Sequence, residues 1–385
     1  MMATRTPRLL SISPVSDGGG SERALVALVA ELSSGGWECH VALPGAPRLA
    51  GDYVAAGARL HRVPMERLTT SGGALRWFRF AAAWPVSVAR LALLARRLDV
   101  DVVHSNSLHC WYGWAVARLV GRPHVWHARE IVSQSALALR VERVLARHGA
   151  KTVVAASAAV AAQLDRRNVE IVRDDPDPSR FRPGSAGRFR HSVGIDDSVL
   201  LVGSVARLDT WKGFDTFLDA LELVLASRDD VEGLVGGGPV PGKEAYAARL
   251  EARAAKMRSV HWVGERDDVA ELLADLDVLV QVSETPEPYG LVVAEALASG
   301  TPVVAGNQGG PVEILAGCPS HAGRLVPPGD PGALATAVLE LLPSGPSGST
   351  ERRARPVLRE PAAGSFLEVM SRVADRGCHS ARLGR

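Results

Sequence analysis

The sequence predicts an α/β fold of two domains, each built from parallel strands that alternate with helices. Short apolar runs rich in β-branched residues recur along the chain, as at residues 277–282, which is typical of parallel strands buried on both faces. Helical segments that end at Gly or Pro separate these runs, as at 291–299 before Gly300 and Pro302. At 385 residues the chain is long enough for two such domains, each with its own core.

Composition and charge are ordinary for a soluble globular protein, with 46% hydrophobic and 22% charged residues. The net charge of +2, from 44 basic and 42 acidic residues, is too balanced to predict binding of nucleic acid. The 4 cysteines are scattered and form no Cys-x-x-Cys pair, so neither a zinc site nor a disulfide framework is predicted. The N-terminus lacks a signal-peptide pattern and no stretch of about 18 apolar residues occurs, so we expect a cytoplasmic protein.

The first domain opens with a βαβ unit. A strand at 8–13 leads into a loop that ends in Gly18, Gly19 and Gly20, and a helix and a second strand at 38–43 follow. The glycines are not spaced as Gly-x-Gly-x-x-Gly, so they do not predict a dinucleotide-binding fingerprint. They lie at the N-terminus of the helix, where the alternative to a ligand-facing turn is a simple tight turn.

Aromatic and basic residues mix along residues 76–97, a helical stretch that includes Trp77, Phe78 and Arg79. One interpretation is an amphipathic face that contacts an anionic membrane. The other is a helix that packs its aromatic rings on the sheet while its arginines stay in water.

Two further strands, at 101–104 and 123–128, end in polar residues. His127 lies near the end of the second strand, and ligands of open α/β sheets bind at the carboxyl ends of strands. His127 is therefore placed to bind a ligand hydroxyl or accept a proton, and a structural histidine is the alternative. Arg129 and Glu130 follow, and they either pair with each other or hold a second substrate.

A Pro-rich linker at residues 173–181 separates the predicted domains, which we place at 1–175 and 176–362, with a C-terminal helix and tail at 363–385. Asp175 and Asp177 have the Asp-x-Asp spacing of a metal motif. Their position in a Pro-rich linker favours a turn, so we predict no metal site there.

The second domain opens with a buried strand at 199–205, and Arg207 and Lys212 follow it. A bidentate Arg and a point-charge Lys are the side chains that neutralise a pyrophosphate. Two solvated loop cations are the alternative.

The richest polar segment follows the strand at 277–282. Gly290 allows a tight turn into a helix at 291–299, with Glu287 before the turn and Glu295 inside the helix. A ligand at the end of the strand would meet Glu287, the free N–H groups near Gly290, and then Glu295, which suit hydroxyls, an anion and more hydroxyls. A nucleotide-sugar offers that order as sugar, diphosphate and ribose. A solvated loop acid and a surface helix acid are the alternative.

This segment resembles the Glu-x7-Glu signature of the family 4 retaining glycosyltransferases. Their shared pattern is Glu-Pro-(Phe/Tyr)-Gly-Leu-x-x-x-Glu-Ala, then Ala-x-Gly-x-Pro-Val-Val, then Gly-Gly-x-x-Glu. The resemblance covers roughly residues 8–342 and is densest over 199–326. The matching pieces are Glu287-Pro288-Tyr289-Gly290-Leu291, Glu295-Ala296, Ala298-Ser299-Gly300-Thr301-Pro302-Val303-Val304 and Gly309-Gly310-Pro311-Val312-Glu313.

The resemblance implies a GT-B fold, in which two Rossmann-like, doubly wound domains face each other across a cleft and the second holds most of the donor. It also implies that the C-terminal helix packs back on the first domain. The usual Asn-Gly-x-Asp turn of the family is absent from 173–181. By resemblance, Glu287 and His127 act near the reacting sugar, and the donor contacts are Gly19, Gly20, Arg207, Lys212, Glu287, Tyr289, Gly290, Leu291 and Glu295, with Gly310 completing the anion site.

The function that the resemblance implies is retaining transfer of a hexosyl or N-acetylhexosaminyl group from a nucleoside-diphosphate sugar, with UDP favoured. The acceptor is a hydroxyl of a natural product, a lipid or a cell-envelope glycan. We expect no metal and no cofactor apart from the nucleotide-sugar. Two alternatives are a catalytically silent sugar-binding subunit that docks on a membrane through 76–97, and another GT-B enzyme such as a nucleotide-sugar epimerase.

Overall fold

The structure is a computed structural model, and it describes residues 5–67, 73–132, 135–164, 169–183, 188–345 and 365–383. The chain divides into two compact units. Unit 1 contains Met1–Asp174 and Ala362–Arg385, and unit 2 contains Asp175–Pro361. Each unit is built on one parallel sheet, which confirms the predicted α/β class.

Unit 1 has a seven-stranded sheet in the order β3-β2-β1-β4-β5-β6-β7, and all its strands are parallel. Its strands are β1 (Arg8–Ile12), β2 (Glu38–Leu43), β3 (Ala58–Arg62), β4 (Val102–Ser105), β5 (His124–Ala128), β6 (Thr152–Ala155) and β7 (Val169–Ile171). Its helices are α1 (Gly20–Ser34), α2 (Ala50–Ala55), α3 (Gly73–Arg97), α4 (Trp111–Val120), α5 (Ala136–Gly149), α6 (Ala158–Ala162) and α14 (Phe366–Leu383).

The two faces of this sheet bury alternate residues of each strand, as a strand period of two requires. Leu9 and Val125 pack on one face with α1 and with Phe366 of α14. Leu10 and Val103 pack on the opposite face, against α3 and α4. The C-terminal helix α14 is thus part of the core of unit 1.

Unit 2 has a six-stranded parallel sheet in the order β10-β9-β8-β11-β12-β13. Its strands are β8 (Leu200–Val205), β9 (Val231–Gly236), β10 (Val260–Gly264), β11 (Val278–Gln281), β12 (Val303–Gly306) and β13 (Gly323–Val326). Its helices are α7 (Arg188–Val193), α8 (Phe214–Ser227), α9 (Glu244–Ala254), α10 (Val269–Asp275), α11 (Leu291–Ala298), α12 (Gly310–Leu315) and α13 (Pro331–Leu341).

The strand orders locate one switch point in each sheet. In unit 2 the chain runs outward from β8 through β9 and β10, and then returns to the other side of β8 as β11. The same reversal places β4 beside β1 in unit 1. Loops that leave the two strands of a switch point diverge and open a crevice at their carboxyl ends, which is where open α/β sheets bind ligands.

A buried arginine ties α7 to the sheet of unit 2. Arg190 is 1% exposed, and its guanidinium donates to the carbonyl oxygens of Asp275, Asp196 and Val199 at 3.0, 3.1 and 2.8 Å. It also donates to the buried carboxylate of Asp277 at 2.8 Å, just before β11. A buried charge of this kind is stable only when it is paired and fully hydrogen-bonded.

Candidate active site

Lys212 and Glu287 come from the two loops at the switch point of unit 2. Lys212 follows β8 and Glu287 follows β11, and Lys212 Nζ lies 2.7 Å from Glu287 Oε2. Both side chains are 13% exposed, so the pair is largely shielded but open on one side. The switch-point geometry thus brings together two residues 75 positions apart in the sequence.

Two polar residues at the end of β11 fix the Glu287 carboxylate. Ser283 Oγ donates to Glu287 Oε2 at 2.9 Å, and Gln281 Nε2 donates to the same oxygen at 3.1 Å. Gln281 Nε2 also lies 2.6 Å from Ser283 Oγ. Oε2 therefore has three donors, whereas Oε1 has no hydrogen-bond partner within the described part of the chain. Oε1 is left to accept a hydrogen bond from a ligand hydroxyl.

Glycine and an aromatic ring position Lys212. Gly213 has a φ of +75°, and a Cβ on it would lie 1.9 Å from the carbonyl oxygen of Val282, so only glycine fits. Lys212 Nζ lies 4.1 Å from the centre of the Trp211 ring, within the range of a cation–π interaction. The indole N–H of Trp211 donates to Asp209 at 3.1 Å.

A glycine pair packs directly on the Glu287 loop. Gly310 N–H donates to the carbonyl oxygen of Glu287 at 2.8 Å. A Cβ on Gly309 would lie 2.1 Å from that oxygen, and a Cβ on Gly310 would lie 2.1 Å from the carbonyl oxygen of Tyr289. The Gly-Gly motif is thus required for a backbone-to-backbone contact that holds Glu287 in place.

Helix α11 begins beside this loop. Gly290 precedes it with a φ of +93°, and Tyr289 is buried beneath the turn. The N–H groups at the start of a helix, here those of Leu291 and Val292, have no acceptor one turn back in their own helix, and they give this end a partial positive charge. Glu295 is partly buried and lies one turn further along the helix.

Arg207 is an exposed residue among the predicted donor contacts. It follows β8 directly, and its guanidinium has no hydrogen-bond or ion-pair partner among the residues that the structure describes. An exposed guanidinium at a switch point is available for an anion.

In unit 1, Gly19 and Gly20 form the predicted turn at the start of α1. Gly19 is the N-cap, and the buried carboxylate of Glu22 accepts the N–H of Gly18 at 2.5 Å. Burial raises the pKa of Glu22 to about 7, nearby Asp17 adds to the increase, and the Gly18 N–H opposes it. The turn is therefore braced from inside the unit by a carboxyl group that titrates near neutrality.

His127 lies near the carboxyl end of β5, as the sequence predicts, and its side chain packs inside unit 1. Strand alternation directs its ring to the face of the sheet that carries Val125, and there it stacks on Phe366 with ring centres 5.6 Å apart. The side chain is fully buried. Burial lowers its pKa well below the ordinary value, and Arg129 and His104 add to the effect. His127 is thus a packed side chain whose burial favours the neutral imidazole, and a role beside the sugar stays a prediction.

The backbone N–H of Arg129 donates to the Glu130 carboxylate at 3.2 Å, but the two side chains have different partners. Arg129 donates to Asn106 Oδ1 at 2.9 Å and forms an ion pair with Asp174. Glu130 instead accepts from Ser107 Oγ at 2.5 Å and from Leu108 N–H at 2.8 Å.

The sequence interpretation missed Ser283 and Gln281, which hold Glu287. Polar residues at alternate positions where an otherwise apolar strand ends are the signal that would have found them. Within the described ranges, no three His, Cys, Asp or Glu side chains are grouped so that they could hold a metal ion. The expectation that the reaction needs no metal stays a prediction.

The helix α3 contains the stretch considered for membrane contact. Residues Trp77–Arg97 are long and apolar enough to cross a membrane by length and composition, and 33% of that window is buried. The helices of globular cores meet the same criterion, and α3 packs Phe80, Val88 and Leu91 into the core of unit 1. Its outer surface exposes Trp77 and Phe78, while the Arg76 side chain lies outside the described residues.

Two family models match the chain. The model described as a glycosyl transferase 4-like domain matches residues 19–210, and the model described as glycosyl transferases group 1 matches residues 197–344. Together they include every predicted site residue in both units.

Similar curated proteins are glycosyltransferases of bacteria. The lipopolysaccharide core biosynthesis mannosyltransferase LpsB of Rhizobium meliloti is 28% identical over 265 residues, which are 62% of this chain and 74% of that protein. The D-inositol 3-phosphate glycosyltransferase 2 of Catenulispora acidiphila is 32% identical over 272 residues, which are 63% of this chain and 62% of that protein. The chain therefore spans less than two thirds of the second relative.

Solved structures share the fold. Anabaena HepE in complex with UDP-glucose superposes with a TM-score of 0.78 at 21% identity, over 97% of this chain and 99% of that one. A glycosyltransferase from Rickettsia africae superposes with a TM-score of 0.74 at 17% identity, over 97% and 99% of the two chains. These likenesses confirm the predicted fold class, GT-B, with two Rossmann-like parallel-sheet domains.

Proposed function

We propose, from the premise that this chain belongs to the group 1 glycosyl transferases, that it transfers a sugar from a nucleoside diphosphate to a hydroxyl acceptor with retention at the anomeric carbon. The observation that carries the proposal is the cluster of Lys212, Ser283 and Glu287 at the switch point of unit 2, beside the N-terminus of α11. It combines a cation, an oriented carboxylate and free N–H groups in one crevice.

The diphosphate would bind to the positive part of this crevice. Lys212 and Arg207 supply side-chain charge, and the first turn of α11 after Gly290 supplies backbone N–H groups. The same groups would stabilise the negative charge that builds on the diphosphate as it leaves. That HepE, a protein of the same fold, holds UDP-glucose supports UDP as the nucleotide here.

The sugar and the ribose would bind to the two acids of the motif. The free Oε1 of Glu287 accepts a sugar hydroxyl, while Lys212 and Ser283 keep its partner oxygen fixed. Glu295 lies further along α11 and takes the ribose hydroxyls. Tyr289, Gly290 and Leu291 contribute the backbone between these two contacts.

The bond changes need no covalent intermediate with the protein. The bond from the anomeric carbon to the phosphate oxygen breaks, and a bond from that carbon to the acceptor oxygen forms on the same face of the sugar. The acceptor proton passes to the departing phosphate, so charge and atoms balance without a protein base. This route requires neither a metal nor a second cofactor.

A hexosyl or N-acetylhexosaminyl group is the proposed cargo, and a natural product, lipid or cell-envelope glycan the proposed acceptor. The mannosyltransferase and inositol-phosphate glycosyltransferase relatives support a cell-envelope or polyol acceptor. We place the reaction in the cytoplasm, with peripheral membrane contact through 76–97. The exposed Trp77 and Phe78 favour this contact, because such rings bury readily at a lipid interface.

The experiment that tests this function is a donor panel. UDP-, GDP-, ADP- and dTDP-sugars are added separately, and thermal shift and donor hydrolysis are recorded for the wild type and for Lys212→Ala and Glu287→Ala. We expect one donor to stabilise the protein and hydrolyse slowly, with both signals reduced in the variants. A protein that responds to no donor would contradict the assigned site and favour a catalytically silent subunit.

A further inference from the structure

A buried carboxylate in unit 1 has one partner, and that partner is a histidine at the carboxyl edge of the sheet. Glu142 lies on α5, is 0% exposed and accepts from His109 Nδ1 at 2.5 Å. Its other oxygen is buried without a hydrogen-bond partner within the described part of the chain. Burying a carboxylate is costly unless it is paired, so the pair needs an explanation.

The pairing fixes which nitrogen of His109 faces outward. Nδ1 carries the proton and donates to Glu142, which leaves Nε2 with the lone pair when the ring is neutral. The His109 side chain is 25% exposed, so it is not sealed inside the unit as Glu142 is. No described residue bonds to Nε2, so it is open to a ligand. A buried acid behind a histidine with its outer nitrogen free is the arrangement that orients an imidazole toward a substrate hydroxyl.

The loop that carries His109 occupies the switch point of unit 1. It joins β4 to α4, and β4 lies beside β1, which leads to the Gly19 turn. Asn106 donates to the carbonyl oxygen of Ser21 at 3.0 Å, which ties this loop to the start of α1. Glu130 holds its middle by accepting from Ser107 and Leu108. His109 is therefore carried on a braced loop in the crevice where ligands of such sheets bind.

We propose that His109, oriented by Glu142, binds a hydroxyl of the acceptor, and that the acceptor presents a neutral polyol to this position. The inference rests on the proposed function, since it assigns the acceptor side of the same reaction. Glu142 is the positioning residue: it does not touch the acceptor but sets the tautomer and the angle of the ring that does.

The charges around His109 favour a neutral ligand over an anion. The groups that face it are Glu142 from α5, Glu130 after β5 and Arg67 after β3. When His109 is neutral, two carboxylates against one cation would repel a phosphate at this position. Burial opposes protonation of His109, but the Glu142 hydrogen bond and the Glu130 charge outweigh it and raise the His109 pKa. The lone pair on Nε2 is therefore free only above a raised pKa, and acceptor binding should strengthen as pH rises through it.

A direct test follows the imidazole resonances of 15N-histidine-labelled protein during titration with myo-inositol. We expect the Nε2 resonance of His109, assigned by its absence from the spectrum of His109→Asn, to shift saturably. His261 provides an internal control, because its Nε2 lies 2.6 Å from Glu232 in unit 2 and it should not respond. Inorganic phosphate at matched ionic strength should leave His109 unchanged. A response to phosphate alone, or to neither probe, would overturn the proposal.

Kinetics separate this proposal from the proposed function. The assay uses the donor that the panel identifies and an acceptor that the enzyme glycosylates. His109→Asn should raise the acceptor KM about ten-fold, which is the effect expected from the loss of one hydrogen bond. Donor affinity should not change. Glu142→Gln removes the charge that raises the His109 pKa, so the pH at which acceptor KM falls should move lower. If donor turnover depends on Lys212 but His109→Asn changes neither the acceptor KM nor its pH profile, the role of His109 is refuted and the proposed function is not.

Discussion

The ammonium of Lys212 lies 2.7 Å from the carboxylate of Glu287, and it reaches only one of the two carboxylate oxygens. An ammonium has three donors, so Lys212 can hold Glu287 and still donate to a diphosphate. The pair therefore presents a ready site: one face of Lys212 for phosphate and one oxygen of Glu287 for a sugar hydroxyl. No exchange of partners is needed when the donor binds.

The first prediction concerns the glycine contact beneath Glu287. Gly309→Ala places a Cβ 2.1 Å from the Glu287 carbonyl oxygen at a φ of +71°. We expect a loss of roughly 3 kcal/mol in the free energy of unfolding of unit 2, from strain and overpacking. The donor-induced thermal shift should also fall, because Glu287 must move.

Gly317→Ala is the matched control, because nothing lies within 4 Å of the Cβ it would gain. Urea unfolding of both variants measures the difference. Equal stability of the two variants would show that the Gly309 contact does not hold the loop.

The second prediction concerns the buried Arg190. Arg190→Met leaves the Asp277 carboxylate buried without its charged partner and should destabilise unit 2 by about 3–5 kcal/mol. Arg258→Ala breaks an ion pair whose side chains are 67% and 93% exposed, so it should change stability by less than about 1 kcal/mol. Chemical denaturation measures the stability loss of each variant. The double variant Arg190→Met with Asp277→Asn should recover part of the loss caused by Arg190→Met. Similar losses in the two single variants would contradict this account.

The third prediction concerns the pH dependence that Glu22 imposes on unit 1. Its pKa is about 7 in the folded protein, whereas an ordinary glutamate has a pKa of 4.5. The folded protein therefore keeps the proton up to a higher pH than the unfolded chain does. A raised pKa makes stability highest below 4.5 and lowers it as pH rises through about 7. Glu22→Gln keeps an acceptor for Gly18 N–H and should be more stable than the wild type at about pH 8, by removing this cost.

Thermal unfolding across the pH range measures the effect. Asp52→Asn, which changes an exposed carboxylate on α2, should leave the pH profile as in the wild type. A Glu22→Gln variant with the wild-type pH profile would show that this carboxyl group does not titrate as described.

The fourth prediction concerns the exposed surface of α3. Phe78 is 73% exposed, Trp77 and Val86 are also exposed, and Arg90 and Arg97 lie on the same helix in water. We expect the wild type to co-sediment with anionic vesicles, and Trp77→Ser with Phe78→Ser to reduce the bound fraction at least about ten-fold. Leu223→Ser, at a 50% exposed position of α8 in unit 2, is the control. Failure of the wild type to bind anionic vesicles would contradict membrane contact through this helix.

Local sequence patterns predicted the fold class and the positions of Glu287 and Gly290 around the turn into α11. The strands of unit 2 and the turn at Gly290 were predictable because strand composition and glycine geometry act over a few residues. Contacts between residues far apart in the sequence were not predictable in this way. The support that Gln281 gives to Glu287 depends on how β11 ends, and the His109–Glu142 pair joins residues 33 positions apart. The burial of His127 against Phe366 was not predictable, because a strand-end position does not say which face of the sheet the side chain takes.

The central claim is that Lys212 binds the diphosphate and Glu287 binds the sugar, and calorimetric titration with UDP and with UDP-glucose tests it directly. Lys212→Ala should weaken both ligands about a hundred-fold, whereas Glu287→Gln should weaken UDP-glucose at least ten-fold and leave UDP nearly unchanged. Lys256→Ala, an exposed lysine after α9, should change neither. If the wild type binds neither ligand, or if Glu287→Gln weakens UDP as much as UDP-glucose, the assignment of these two residues is wrong.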